Sequence, residues 1–150
     1  MTGDGVVVVS LHVEAQPETV FPYFTDPARY VQWMGREATL DPVPGGIYRV
    51  TIREGIQAIG QFVEIDPPRR LVFTWGWTDD RDVPPGSTRV TITLHPESGG
   101  TRVTLRHHDL PSQSQRDHHA RGWDQYLSRL DMALGGHDPG DDPNAASSAT

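Results

Sequence analysis

The chain has 150 residues, of which 13 are basic and 20 are acidic, and its formal net charge at pH 7 is −7. All the basic residues are arginine and there is no cysteine, so Schiff-base lysines, catalytic thiolates and cysteine-ligated metal sites are excluded. An acidic chain without a basic cluster is a poor ligand for nucleic acid or anionic membranes. No apolar run is long enough to span a membrane and the N-terminus lacks a signal-peptide pattern, which predicts a cytoplasmic protein.

The N-terminal segment predicts one strand followed by two short helices. Residues 1–5 are expected to be frayed, and the β-branched alternation from Val6 to Glu14 predicts the strand. A short helix should begin at Pro17 and be distorted at Pro22, which has no backbone N–H to donate. A second short helix is expected from Ala28 to Met34.

Six further strands are predicted between residues 36 and 110, each bounded by turn residues such as Pro, Gly and Asp. They run from Glu37 to Leu40, Ile47 to Arg53, Gln57 to Ile65, Leu71 to Trp77, Thr88 to His95 and Thr101 to Asp109. Their short connections favour antiparallel pairing, and alternation gives most of them one apolar and one polar face. The facing of the strand from Gln57 to Ile65 stays open, because the adjacent Phe62 and Val63 cannot both point inward.

The stretch from Ser112 to Gly136 predicts the one long helix of the chain. An apolar stripe recurs there at helical spacing, formed by Trp123, Leu127, Leu130 and Leu134. We expect this stripe to pack on the apolar face of the sheet, because a sheet with one wet face must cover the other. Residues 6–136 are therefore predicted to form a single domain, and the acidic, Pro- and Gly-rich residues 137–150 are expected to be a disordered tail.

Five segments of the chain resemble, in the same order, segments of a known superfamily. They read VFPYFTDPARYVQWMG, PGGIYRV, EIDPPRRLVFTWGW, GGTRVTLRHHDLP and HHARGWDQYLSRL. From about Val6 to Leu134 the chain resembles the START-like (SRPBCC) superfamily, and within it the branch named after the activator of heat-shock-protein ATPase. The resemblance implies an α+β helix-grip fold, in which a seven-stranded curved antiparallel sheet wraps around a long C-terminal helix and two short helices follow the first strand.

The same resemblance implies a pocket between the helix and the sheet. By motif position it places around this pocket Trp33, Tyr48, Phe73, Trp75, His107, His119 and Trp123. The eukaryotic activator proteins carry a separate N-terminal domain for which this chain has no room. Co-chaperone function is therefore not expected to follow from the fold.

The density of aromatic residues is the first functional signal. On sequence alone, rings that simply fill a small core explain such a cluster well, because aromatic side chains dominate core packing. The resemblance favours a ligand cavity instead. A strongly curved sheet cannot be filled along its whole length by one helix, so aromatic rings would line the space that is left. The candidate ligand-binding residues are Phe24, Trp33, Tyr48, Val50, Phe73, Trp75, Trp77, Ile92, Leu105, His107, His119, Trp123 and Leu127.

Two histidines are the second signal. His107 alternates with Leu105, and His119 lies one turn before Trp123, so both should point inward. They are either core histidines with structural hydrogen bonds or donors that orient a ligand oxygen. A third hypothesis is that one of them acts as a general base. No carboxylate lies at a spacing that would complete a metal site with them, so we predict neither a metal nor a cofactor.

The carboxylates give little support for catalysis, and we assign no catalytic residue. Glu64 could face the pocket, but the polar face of its strand is favoured. The loop carboxylates Asp79, Asp80 and Asp82 lack the ligand spacing of a calcium loop and are expected to be solvated.

The sequence therefore predicts a protein that binds a small hydrophobic or aromatic molecule between the sheet and the terminal helix. Binding would be oriented by His107, His119, Tyr48 or an indole nitrogen. Two alternatives stay open. One is an enzyme of the polyketide cyclase or hydrolase-like kind with a cavity histidine as general base, and the other is a co-chaperone-like interaction module with a chaperone partner and a role in stress response.

Overall fold

The computed structural model of the protein describes residues 5–144. Residues 1–4 and 145–150 lie outside this range, together with the parts of the predicted frayed N-terminus and disordered tail that fall on them. Seven strands form one sheet, followed by a long helix, which confirms the predicted α+β helix-grip fold. Within the described range, no helix is both long and apolar enough to cross a membrane.

The seven strands form one antiparallel sheet in the order β1-β7-β6-β5-β4-β3-β2. Their bounds are β1 Val7–Val13, β2 Glu37–Leu40, β3 Ile47–Arg53, β4 Ile56–Asp66, β5 Arg70–Trp75, β6 Thr88–Glu97 and β7 Gly100–His108. Strands β2 to β7 each pair with the next strand along the chain. The last strand, β7, also pairs with β1, which forms one edge of the sheet. The predicted strands are all present, although β5 ends at Trp75 instead of Trp77.

The structure decides the facing of β4, which the sequence left open. Phe62 is buried and Val63 is half-exposed, and the pairing with β5 shifts register between Phe62 and Glu64. This irregularity is a β-bulge, which lets the strand change register without turning its apolar residues outward. Glu64 lies on the outer face, 3.2 Å from the guanidinium of Arg70, as the sequence favoured.

Three four-residue helices follow β1, where the sequence predicts two. They are α1 Pro17–Val20, α2 Pro22–Thr25 and α3 Pro27–Tyr30. Each begins with proline, whose missing N–H costs no hydrogen bond at a first helical position. The expected distortion at Pro22 is therefore a complete break between two helices. The last of the three ends at Tyr30, earlier than the predicted Met34.

The long helix α4 spans Gln113–Leu134. Its N-terminus is capped by Ser112, whose hydroxyl oxygen accepts from the backbone N–H of Gln115 at 3.1 Å. At its C-terminus Gly136 adopts the left-handed conformation with φ of +81°. The buried side of the helix is wider than the predicted stripe and consists of His119, Trp123, Tyr126, Leu127, Arg129, Leu130 and Ala133.

Residues 137–144, which we call the C-terminal segment, pack back against α4, where the sequence predicts disorder. The buried carboxylate of Asp142 accepts hydrogen bonds at 2.8 Å from the backbone N–H of Gly35 and from the hydroxyl of Tyr126. The buried guanidinium of Arg129 donates to the backbone oxygens of Trp33, Pro139, Gly140 and Asp141. Composition could not reveal this order, because the partners of the segment, Gly35, Tyr126 and Arg129, lie elsewhere in the chain.

Candidate functional site

An open cleft of about 670 Å³ lies between α4 and the end of the sheet where β3 ends, β4 begins and β5 ends. Its apolar lining consists of Met34, Ile52, Ile56, Trp75, Trp77 and Trp123. Its polar lining consists of Arg53, Asp79, Asp80, His118, His119, Arg121, Gln125, Tyr126 and Asn144. The volume lies within the range of small-molecule sites, about 300 to 1,000 Å³.

A cluster of aromatic rings is packed in the core outside the cleft lining, and we call this region the closed end. Its rings, none more than 1% exposed, are Phe24, Tyr30, Trp33, Tyr48, Phe62 and Phe73. Tyr48 stacks on Phe73 with ring centroids 4.1 Å apart, and Tyr30 and Tyr48 share a hydrogen bond between their hydroxyls. Burial raises the pKa of both phenols, so they stay uncharged. The closed end is thus packed by the protein's own side chains.

A hydrogen-bonded chain runs from the cleft into the core through His107. The indole N–H of Trp123 donates to Nδ1 of His107 at 3.0 Å, and Nε2 of His107 lies 2.8 Å from the hydroxyl oxygen of Thr88. The Thr88 hydroxyl donates its hydrogen to the carbonyl oxygen of Trp75 at 2.7 Å, so Nε2 must carry the histidine proton. Burial lowers the pKa of His107 well below its ordinary value. The ring is therefore neutral, and both of its nitrogens are engaged.

A second histidine holds the indole of Trp77 in the same manner. The indole N–H of Trp77 donates to Nε2 of His119 at 2.9 Å, and Nδ1 of His119 lies 2.8 Å from the carbonyl oxygen of Gln115. Because a carbonyl only accepts, Nδ1 carries the proton. Burial lowers the pKa of His119 as well. Each histidine therefore holds one indole of the cleft lining through a hydrogen bond.

Polar groups from four parts of the chain, namely β3, the loop after β5, α4 and the C-terminal segment, meet at the rim of the cleft. The carboxylate of Asp80 accepts from the side-chain amide of Gln115 at 3.0 Å, which ties the loop after β5 to α4. Asn144 donates to the Tyr126 hydroxyl at 2.9 Å, and its carbonyl oxygen accepts from Arg53 at 2.9 Å. The C-terminal segment thus forms part of the cleft wall. Across residues 5–144, no three His, Asp or Glu side chains are grouped to hold a metal ion.

The predicted ligand-binding residues separate into two groups in the structure. Trp75, Trp77, His119 and Trp123 lie on the cleft wall. The remainder are buried in the packed core, away from the cleft lining: Phe24, Trp33, Tyr48, Val50, Phe73, Ile92, Leu105, His107 and Leu127. The physical reason is that alternation identifies the inward face of a strand, but not how closely the helix approaches each part of that face.

Several cleft residues were not predicted. Ile52 continues the alternation of Tyr48 and Val50, so the pattern of β3 could have identified it. Tyr126 lies three residues after Trp123 on the same side of α4, which helical spacing could also have shown. Asn144 had no such signal, because it reaches the cleft only through the packing of the C-terminal segment.

Comparison with known proteins gives one family. The family model described as activator of Hsp90 ATPase homolog 1-like protein matches residues 14–135 of this chain. The match covers the sheet from the end of β1 onward and the whole of α4. No curated protein matches the chain.

Solved structures resemble the chain over most of its length. An AHSA1-like protein from Rhizobium etli is 43% identical with a TM-score of 0.74, over 92% of this chain and 86% of that one. CalU16 from Micromonospora echinospora is 27% identical with a TM-score of 0.74, over 90% of this chain and 76% of that one. DynU16, from the dynemicin biosynthetic locus, is 27% identical with a TM-score of 0.78 over 90% of this chain. This chain spans about half, 49%, of DynU16.

Proposed function

This chain belongs to the family of activator of Hsp90 ATPase homolog 1-like proteins, and from that premise we propose that it binds a small apolar ring compound in the cleft. The observation that supports the proposal most directly is the three-indole lining of an open 670 Å³ space, formed by Trp75, Trp77 and Trp123. Trp77 is partly exposed there, and Trp75 and Trp123 border the space with 1% and 3% of their surface exposed.

The cleft is built to keep its shape without a ligand. His119 and His107 fix the indoles of Trp77 and Trp123 through hydrogen bonds of 2.9 and 3.0 Å. A binding surface that is already ordered loses less side-chain entropy when a ligand arrives, which increases affinity. Each 100 Å² of apolar surface that the ligand and the cleft bury contributes about 2.5 kcal/mol to binding.

The histidines support binding better than catalysis. A general base needs a free lone pair within reach of the substrate. In His119 the Nε2 lone pair already accepts from Trp77, and in His107 the Nδ1 lone pair accepts from Trp123. A catalytic role would first require one of these indoles to move away. The chaperone in the family's name, a cytoplasmic location and a role in stress response stay predictions.

Gly122 offers a direct test of the proposed site. It lines the cleft on α4, and a Cβ added there meets no other atom within 4 Å. The variant Gly122→Leu should therefore fill the cleft while improving helix propensity, since glycine is about 1 kcal/mol worse than alanine inside a helix. Isothermal titration calorimetry with 2-acetylnaphthalene as probe should show binding to the wild type and at least about tenfold weaker binding to Gly122→Leu.

The matched control is Ser128→Leu, which adds the same side chain at an exposed position of α4 outside the cleft lining. This variant should bind the probe as the wild type does. Equal affinity of wild type and Gly122→Leu, or no binding to either, would contradict the proposal. Native mass spectrometry of protein isolated from its own host would then look for the retained natural ligand.

A further inference from the structure

The four tryptophans of the chain differ in one respect, namely the partner of the indole N–H. Trp33 donates to the carbonyl oxygen of Tyr23 at 3.0 Å, Trp77 to His119 and Trp123 to His107. The indole nitrogen of Trp75 has no partner. Among the described residues it is one of two buried side-chain polar atoms without a hydrogen bond, the other being Nε of Arg116.

Trp75 is also the most enclosed indole of the cleft. The side chain is 1% exposed, and its ring centroid lies 4.9 Å from that of Trp123 and 5.1 Å from that of Trp77. A buried N–H without an acceptor costs about 1 to 3 kcal/mol of stability. Native proteins rarely keep such a group unless something outside the chain satisfies it.

The other donors that the sequence offered for orienting a ligand are already occupied. His107 uses both ring nitrogens within the core, and His119 uses both of its own. The hydroxyl of Tyr48 is hydrogen-bonded to that of Tyr30 inside the closed end. Of these candidate donors, the N–H of Trp75 is therefore the one that has no partner within the protein, and its residue borders the cleft.

We propose that the indole N–H of Trp75 donates a hydrogen bond to an uncharged oxygen of the bound ligand. The cleft then selects ring compounds that carry a ketone, hydroxyl or ether oxygen over pure hydrocarbons of the same shape. The ring contacts of Trp75 are with Tyr48, Phe73, Trp77, His107 and Trp123. None of these five rings carries a positive charge, so at this N–H an uncharged oxygen loses less hydration energy than a carboxylate would. The inference rests on the proposed function.

A pair of isosteric probes tests this selectivity. 2-Acetylnaphthalene carries a ketone oxygen where 2-isopropenylnaphthalene carries a methylene carbon, and the two are otherwise alike. Calorimetry gives the dissociation constants of both for the wild type and for Trp75→Phe, which removes the N–H and keeps an aromatic ring. The ratio of the two constants should favour the ketone about tenfold more in the wild type than in Trp75→Phe, the usual effect of one buried hydrogen bond.

The matched control is Trp77→Phe, which removes an indole N–H of the same cleft that is already engaged with His119. It should leave the ratio as it is in the wild type. A second measurement follows the NMR signal of the Trp75 indole proton and needs variants only to assign that signal. In the ¹⁵N-resolved NMR spectrum, the Trp75 indole proton should move downfield when the ketone is added to the wild type and stay in place when the alkene is added.

The outcomes separate this inference from the proposed function. If both probes bind and are weakened by Gly122→Leu, but their ratio is the same in wild type and Trp75→Phe, the cleft binds apolar rings and the hydrogen bond is refuted. If neither probe binds the wild type, the proposed function fails and the inference fails with it.

Discussion

The closed end and the cleft are built from the same kinds of side chain but treat them differently. In the closed end, rings contact rings and hydroxyls bond to each other, as Tyr48 does with Phe73 and Tyr30. In the cleft, each of two indoles is held by a histidine, and a third keeps a free N–H. An aromatic cluster is therefore a candidate binding surface where it borders an open space, as the three indoles border the cleft.

The largest difference between the two regions should appear in stability. Phe73→Ala removes a fully buried ring of the closed end and should lower the free energy of unfolding by about 3 to 5 kcal/mol. Trp77→Ala removes a larger ring that is only partly buried at the cleft, and should cost about 1 to 2 kcal/mol because less surface returns to water. Urea denaturation measures both. Equal costs would show that the cleft wall is packed as tightly as the closed end.

A middle-sized effect is expected at the contact that joins the C-terminal segment to the domain. Asp142→Ala leaves the N–H of Gly35 and the hydroxyl of Tyr126 without their acceptor, and should lower the free energy of unfolding by about 1 to 3 kcal/mol. The control Asp141→Ala, at an exposed neighbour, should stay within about 0.5 kcal/mol of the wild type. Chemical denaturation of the wild type and the two variants measures these free energies of unfolding. A neutral Asp142→Ala would show that the segment does not contribute to stability.

The smallest effect is a change of the free energy of unfolding with pH, which we expect from the buried His107 and not from an apolar core residue. Burial holds the pKa of His107 below its ordinary value in the folded state, so the unfolded chain binds more protons as the pH falls. His107 therefore leaves the free energy of unfolding unchanged above about pH 6.5. Below that pH it lowers the free energy of unfolding by up to about 1.4 kcal/mol per pH unit, until the pH reaches the folded pKa. Urea midpoints between pH 7 and pH 5 should therefore decrease.

Two variants sharpen this measurement. His107→Gln can still donate to Thr88 and accept from Trp123 but does not titrate, so its stability should fall less steeply with decreasing pH. Leu105→Ala, two residues earlier on β7, should lower stability at every pH and keep the slope of the wild type. The explanation is wrong if the slopes of His107→Gln and the wild type coincide.

Most of the fold could be predicted from local patterns. The alternation of buried and exposed residues located β2 and β3 at their observed bounds, and the helical stripe at Trp123, Leu127 and Leu130 located α4. The adjacent Phe62 and Val63 showed that alternation breaks in β4, but not which of the two side chains points inward, because that depends on the register shift against β5. Pro22 was recognised as a distortion, but not as the start of a separate helix.

The site was predictable only in part. The sequence identified Trp75, Trp77, His119 and Trp123 as inward-facing, and these side chains do line the cleft. It could not distinguish them from Phe73, which faces inward on the same strand but lies in the closed end. That distinction depends on the distance between α4 and each strand, which is a property of tertiary packing and not of periodicity.

The placement of the tryptophans should make intrinsic fluorescence a direct measure of ligand binding in the cleft. Three of them line the cleft, and Trp33 lies in the closed end, 0% exposed. Trp75 and Trp123 are only 1% and 3% exposed, so Trp77 is the one partly exposed indole of the four. Intrinsic fluorescence should therefore divide into a component from Trp77, which a small collisional quencher extinguishes, and a component from the buried tryptophans, which it cannot reach. A compound that occupies the cleft would shield the first component and leave the second unchanged, so a library of compounds could be screened without any attached dye.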